Sequence, residues 1–286
     1  MRPVDIVVCV KPVPDPRGWK KLKLDPGTML LCRSEIPAVI NTLDRNAIEQ
    51  ALQIKAQLGG TVTAMTMAPP EGEQQLLEAL AMGCDRAVLL SDRVLAGADT
   101  LATARCLAAA ITKLGRYDLV FCGAYSLDGS TSHVGPQLAE LLGIPDLTYV
   151  RSLKIAEPGL SAQCELDDGQ ADYECELPAL VTFSREANVP RLPTMSGIMT
   201  AARTTITRWS AADLDLDPAR VGLAGSPTQM LNIFTSAVGR KGEIFQGPPG
   251  EVARKLLARL RAERVLRACG EVQGRPSRHG DAERNP

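Results

Sequence analysis

From Asp5 to about Val150 the chain repeats one unit: a short β-branched run, a turn, then a stretch with apolar residues at helical spacing. Strands separated by helices cannot close as tight hairpins. They pair in parallel, and the helices cross over the faces of the sheet. Residues 6–10 form the first such run. The spacing predicts a helix over 44–58, with Ala47, Ile48, Ala51, Leu52 and Leu58 on its apolar face and Gly59-Gly60 closing it. It predicts a strand over 61–68, a helix over Glu73–Met82 stopped by Gly83, and a strand over 87–90. A helix over Thr100–Leu114 places Leu101, Ala104, Ala108 and Ile111 on one side. A strand over 119–122 then runs through a Gly/Ser/Thr loop into a helix over Val134–Leu142. The polar stretch 20–39 interrupts this series as a hairpin-like excursion.

Beyond Leu147 the period changes. Segments 153–155, 161–166 and 171–177 alternate apolar and polar around Pro158-Gly159 and Asp168-Gly169, which reads as an antiparallel meander. Ala179–Phe183 is apolar throughout and reads as a central strand. After Pro190, prolines 193, 218, 227, 248 and 249 leave room only for short elements. Met195, Ile198, Met199, Leu231, Ile233 and Phe234 make this stretch too apolar for a free tail, so it is expected to lie on another surface. A helix is expected over 252–266. The fold class is therefore α/β, a mostly parallel, doubly wound sheet with an antiparallel meander and an extended C-terminal arm. The expected division is an α/β domain over 1–190, a presented loop over 191–200, an arm over 201–269 and a disordered tail over 270–286.

Composition excludes several functions. Among 286 residues, 32 Lys and Arg balance 33 Asp and Glu, which leaves no basic footprint for nucleic acid or an anionic membrane. The eight cysteines show no CxxC pair and the chain has only two histidines, so neither a zinc nor an iron–sulfur shell is in view. Thiols inside apolar runs such as IVVCV read as buried and reduced. The immediate start of a strand leaves no room for a signal peptide, and no apolar stretch has the length of a membrane span, so a cytoplasmic location is expected.

Five segments, in order, carry a resemblance: Val8 to Asp15 (VCVKPVPD), Ile40 to Glu49 (INTLDRNAIE), Ala79 to Asp85 (ALAMGCD), Asp128 to Pro136 (DGSTSHVGP) and Arg191 to Met199 (RLPTMSGIM). In order and spacing the chain resembles the electron-transfer flavoprotein β subunit family, and Asp44 and Asn46 look more like its flavin-bifurcating branch. The resemblance implies a sheet of the adenine-nucleotide-binding (HUP-like) type. It also implies a heterodimer with a larger α subunit, which shares or mainly holds an FAD, while this subunit binds AMP or a second FAD. Dehydrogenases and a membrane or soluble quinone- or ferredoxin-type acceptor are the implied redox partners, with no nucleic acid and no direct membrane insertion.

A nucleotide on such a sheet belongs at the carboxyl ends of the strands, where the strand order reverses. The positions matching the family's nucleotide contacts lie there: Cys9 at the end of the first strand, Asn41, Thr42, Leu43 and Asp44 before a helix, and Met67 at the end of the next strand. The loop Gly123, Ala124, Tyr125, Ser126, Leu127, Asp128, Gly129, Ser130, Thr131, Ser132, His133 and Val134 completes the set. Its glycines admit close backbone approach, its hydroxyls can donate, and the helix start aims N–H groups at an anion. In isolation, Thr131 or Ser132 reads as a helix cap, Thr42 or Asp44 likewise, and Asp128-Gly129 as a turn. Asp128 opposes a phosphate, so it is expected to accept backbone or ribose hydrogen bonds. Related β subunits usually carry a basic residue, a glutamine and a further acidic residue where this chain has Ala124, Tyr125 and Ser130. Tyr125 is a candidate for stacking on a ring and, equally, for a packing residue. His133 reads as solvent-facing.

Arg191, Pro193, Met195, Ile198 and Met199 match the loop by which β subunits recognise acyl-CoA dehydrogenases and related partners, with Met195 as a flexible apolar anchor. The alternative is a methionine buried under a loop. No carboxylate pair or Cys–His couple points to catalysis by side chains, so an electron carrier is expected, and an enzyme only in the bifurcating, NADH-oxidising case. A stand-alone adenine-nucleotide sensor is the third reading.

Overall fold

The computed structural model describes residues 2–21, 23–24, 31–32, 36–156, 159–228 and 242–266. Its strands are β1 (Ile6–Cys9), β2 (Pro12–Pro14), β3 (Lys23–Leu24), β4 (Leu31–Cys32), β5 (Ala38–Ile40), β6 (Val62–Met67), β7 (Arg86–Leu90), β8 (Leu119–Gly123), β9 (Asp146–Ala156), β10 (Gly159–Leu166), β11 (Gly169–Glu176), β12 (Ala179–Phe183) and β13 (Thr207–Trp209). The helices are α1 (Thr42–Leu58), α2 (Glu73–Met82), α3 (Thr100–Leu114), α4 (Val134–Leu142), α5 (Met195–Ala201) and α6 (Pro249–Ala262).

Nine strands form one sheet in the order β11-β10-β9-β12-β8-β1-β6-β7-β13. Every neighbouring pair from β9 to β13 is parallel, and only β10 runs against its two neighbours. The first three strands of the series, β1, β6 and β7, step outward in one direction. After α3 the chain returns to the other side of β1 as β8, so the order reverses between β1 and β8. The expected 20–39 excursion holds one short antiparallel pair, β3 with β4, and β5 at its end pairs antiparallel with β2, which precedes it. Much of it lies outside the described residues.

Alternation along the strands makes two cores. Ile6, Val8, Phe121 and Phe183 face α1 and α2, where Ile48, Ala51 and Leu76 meet them. Val7, Met65, Val120 and Leu180 face α3 and α4, against Leu107, Ile111 and Leu138. Phe121 and Phe183 meet edge to face, with centroids 4.8 Å apart, a geometry worth about 1 kcal/mol beyond area burial. The cysteines expected to be buried are so at Cys9, Cys84, Cys106, Cys122 and Cys164, while Cys175 is half-buried. Cys32 and Cys269 lie outside the described side chains.

The stretch after Pro190 departs from the expected arm. The first compact unit runs from Met1 to Ile233, and a second from Phe234 to Pro286. Residues 195–201 form a helix rather than a loop, and β13 extends this chain's own sheet by pairing with β7. Val221 and Ala211 are buried in the α3/α4 core. A three-residue edge strand carries too little periodicity to be read from sequence, whereas Met195, Ile198 and Met199, expected to lie on another surface, are exposed, and Leu231, Ile233 and Phe234 lie outside the described residues. In the second unit α6 begins at Pro249 and ends four residues before the expected 266, with none of its side chains buried. The tail expected over 270–286 lies outside the described residues. Among the described residues, no helix is long and apolar enough to cross a membrane.

Candidate functional site

The reversal point opens a shelf at the carboxyl ends of β1 and β8, and three loops from distant parts of the chain wall it. They are the exit from β1 at Lys11, the start of α1 at 41–44, and the loop 123–133 between β8 and α4. Asp44 binds them together. Its Oδ2 accepts the Lys11 backbone N–H at 2.7 Å, and its Oδ1 accepts Asn41 Nδ2 at 2.9 Å and the Gly123 N–H at 3.1 Å. Asn41 in turn donates to the Tyr125 carbonyl at 2.9 Å and accepts the Leu127 N–H at 3.1 Å. Asp44, one of the positions that match the family's nucleotide contacts, turns inward: both carboxylate oxygens are engaged within the protein and the residue is only 5% exposed. Burial pushes its carboxyl up to about 6, against the pull of the hydrogen bonds from Asn41, Lys11 and Gly123 and of the Lys11 charge. Leu43 is buried in the core and Thr42 is exposed.

Gly123 is where α1 touches β8. A Cβ there would lie 2.4 Å from Asp44 Oδ1 and 2.9 Å from the Asp44 nitrogen. Gly123→Ala is therefore expected to push the start of α1 away from the sheet and cost about 2 kcal/mol of stability, measured by urea unfolding. A variant as stable as the parent would show that this contact is slack.

Cys9 turns its side chain into the α3/α4 core beside Cys122, so only its backbone borders the shelf. The Cys9 thiol, hydrogen-bonded to Cys122, and burial together hold the Cys122 thiol well above its ordinary range. Met67 is half-buried at the end of β6. Ala124 is buried, and its N–H donates to the Phe183 carbonyl at 2.9 Å. Tyr125 is exposed.

Neither Thr131 nor Ser132 caps α4. The residue before the helix is His133, exposed as expected and making no side-chain cap. Ser132 instead shares a hydrogen bond with the Tyr149 hydroxyl at 2.7 Å. Ser130 and Ser132 hold left-handed φ values of 48° and 59°, which turn the loop over the start of α4. The first turn of α4 is left without a side-chain acceptor, and an anion suits that place. Asp128, expected to accept backbone or ribose hydrogen bonds, meets a cation: Lys11 Nζ lies 2.7 Å from its Oδ1 and 3.0 Å from Ser126 Oγ. Sequence reasoning overlooked Lys11, although a cation directly after the first strand was a signal.

Arg191 also has an inward task. Its Nε and Nη2 donate to Glu49 at 2.8 and 3.1 Å, and its backbone N–H donates to Glu49 Oε2 at 3.1 Å. Burial raises the Glu49 carboxyl, but the Arg191 hydrogen bonds outweigh it and hold the group below its usual range. Glu49 was another omission, legible as a carboxylate placed among apolar positions of α1. Asn46 and Asn188 add a reciprocal pair, at 2.8 Å to the Asn188 carbonyl and 3.0 Å to the Asn46 carbonyl. On this base Thr194 caps α5 through the Gly197 N–H at 3.0 Å. Gly197 lets α5 settle on α2, where a Cβ would stand 2.2 Å from the Ala81 carbonyl oxygen. Met195 is 75% exposed, with Leu192, Ile198 and Met199 exposed around it, so the buried alternative for Met195 is ruled out.

Residues 28–214 match the family model described as the electron transfer flavoprotein domain. The chain is 43% identical over 264 residues to the electron transfer flavoprotein subunit beta of Thermoanaerobacterium thermosaccharolyticum, which spans 92% of this chain and 100% of the relative. The chain belongs to the electron transfer flavoprotein β-subunit family. Within the family it is 41% identical over 263 residues to the caffeyl-CoA reductase-Etf complex subunit CarD of Acetobacterium woodii, covering 91% of this chain and 99% of that one. It is 40% identical over 236 residues to protein FixA of Bradyrhizobium diazoefficiens, covering 80% and 81%. Electron transfer with flavin or nucleotide cofactors is the function of this family, and it favours the carrier over the stand-alone sensor. The nine-stranded, mostly parallel sheet agrees with that assignment. Among the described residues, no group of three or more His, Cys, Asp or Glu side chains could hold a metal ion.

Proposed function

We propose that this electron transfer flavoprotein chain seats an adenine nucleotide, AMP or FAD, on the shelf between β1 and β8, and works as one half of a heterodimer with an α subunit that carries FAD. The observation that carries the reading is the start of α4, bare of any side-chain cap, beside a loop turned over it by two left-handed serines. Those N–H groups and the hydroxyl of Thr131 fit a phosphate, while the Ser130 hydroxyl donates to the Ser126 carbonyl at 3.2 Å and tightens the loop. A flavin, when bound, supplies the one- and two-electron chemistry. This chain's residues bind and orient. Asn41 and Asp44 fix the walls, Gly123 and Ala124 form the floor, and Tyr125 stands exposed at the rim where a ring can stack.

The exposed cluster of Met195, Ile198 and Met199 is the surface on which a redox partner docks, and Arg191 and Pro193 hold its approach. A CoA-ester dehydrogenase or reductase is the partner class, supported by likeness to a subunit of a caffeyl-CoA reductase complex. The second unit, with its unburied α6, packs on the α subunit.

Co-purifying the chain with its α subunit, extracting the bound nucleotides and identifying them by mass tests the reading. One FAD and one AMP per heterodimer are expected for a simple carrier. Two FAD and bleaching of the flavin by NADH would instead establish the bifurcating form, which Asp44 and Asn46 favour. A heterodimer holding a single FAD and no second nucleotide would overturn the seat.

A further inference from the structure

The loop that suits a phosphate also carries a carboxylate. The Asp128 side chain is only 6% exposed, so water screens its charge poorly, and it opposes an anion bound at the start of α4. The loop manages this with a residue from the other end of the domain. Lys11 Nζ donates to Asp128 Oδ1 at 2.7 Å and to Ser126 Oγ at 3.0 Å. The Lys11 backbone N–H donates to Asp44 Oδ2 at 2.7 Å, and its carbonyl accepts the Asn41 N–H at 3.0 Å. Lys11, itself one wall of the shelf, thus touches the other two. Its backbone is fixed by the α1 start, and that fixes where the ammonium is delivered.

We propose that Lys11 is a positioning residue of the nucleotide seat, cancelling the charge of Asp128 so that the loop keeps this carboxylate and still admits an anionic phosphate. The proposal rests on the nucleotide reading above. Lysine suits the task because a compact point charge on a flexible stem reaches the carboxylate and a hydroxyl together. Its side chain is 45% exposed, so the pairing sits at the mouth of the shelf and responds to salt.

The test uses the full chain with its α subunit, stripped of nucleotide and titrated with AMP and, separately, with FAD. Lys11→Met is expected to weaken the tighter of these two ligands about tenfold, and Lys11→Arg to retain most of the affinity. Asp128→Asn should bind at least as tightly as the parent. The double variant K11M/D128N should recover to within about threefold of the parent, because the repulsion has been removed with the carboxylate. A residue that merely supports the fold would not be rescued in this way. Unchanged binding in Lys11→Met overturns the proposal, and so does a double variant as weak as Lys11→Met, which would mean that the ammonium touches the phosphate itself. Should Lys11→Met fail to fold, a tenfold loss in Asp128→Asn overturns it equally. A parent protein that binds neither AMP nor FAD overturns the nucleotide seat as a whole, whereas binding that ignores Lys11 overturns only this proposal.

Discussion

Asp44→Ala is expected to lower the unfolding free energy by about 3 kcal/mol at neutral pH and to abolish nucleotide retention. The substitution leaves the Lys11 N–H, the Gly123 N–H and Asn41 Nδ2 without the acceptor they now share. Each orphaned buried donor costs about 1–3 kcal/mol, and relief of the buried charge offsets part of the sum. The three walls then lose their common tie, so affinity falls with stability. The carboxyl also makes stability depend on pH. In the folded chain it titrates at about 6, above its ordinary 3.8, so between those values the folded form holds a proton that the unfolded form has released. Its contribution is fully present below pH 3.8 and is lost as pH rises through about 6. Urea unfolding of the parent and of Asp44→Asn at pH 5 and 7.5 measures this. The parent should gain about 1 kcal/mol relative to the variant at the lower pH, whereas parallel profiles would place the Asp44 titration elsewhere.

Met195→Asp is expected to cut kcat/KM for electron transfer to or from a CoA-ester dehydrogenase about a hundredfold, carried mainly by KM, with flavin content and melting temperature unchanged. The side chain is 75% exposed and contributes little to the fold, so the change acts on docking alone. An apolar anchor presented on a rigid base meets its partner with little ordering left to do, and such anchors carry about 2–4 kcal/mol of an interface. The base here is the Glu49–Arg191 pair, the Asn46–Asn188 pair and the Thr194 cap. A variant that turns over normally with its partner would move the docking surface away from α5.

Local periodicity made most of the fold legible. Glu73–Met82, Thr100–Leu114, Val134–Leu142 and Ala179–Phe183 begin and end where the apolar spacing and the turn residues put them. These elements are decided by residues three or four positions apart on a helix, or two apart on a strand. What escaped was decided by distant contacts. β13 exists because β7 offers it an edge, and nothing in Thr207–Trp209 announces that. The candidate site was found as a set of positions, but the side-chain directions were not. Asp44 and Arg191 match motif positions expected to face a ligand or a partner, yet each turns inward, Asp44 to Asn41 and the Lys11 and Gly123 N–H groups and Arg191 to Glu49. Lys11 lies in the first motif, and only the fold shows that its ammonium ends beside Asp128.

The ties that shape the shelf and the base of α5 join residues far apart in the chain: Lys11 to Asp128, Asn46 to Asn188 and Glu49 to Arg191. Pairings of such long sequence separation form late, because loop closure precedes any return from the contact. During synthesis the first half of the sheet can assemble while Asp44 still lacks the Gly123 N–H and Glu49 still lacks Arg191. The loops around Asp44 can therefore close on one another only after translation has passed β8, and the base under α5 only after it has passed Arg191. A chain terminated before β8 lacks the Gly123 N–H that Asp44 accepts, and one terminated before Arg191 leaves the buried Glu49 carboxylate without its guanidinium.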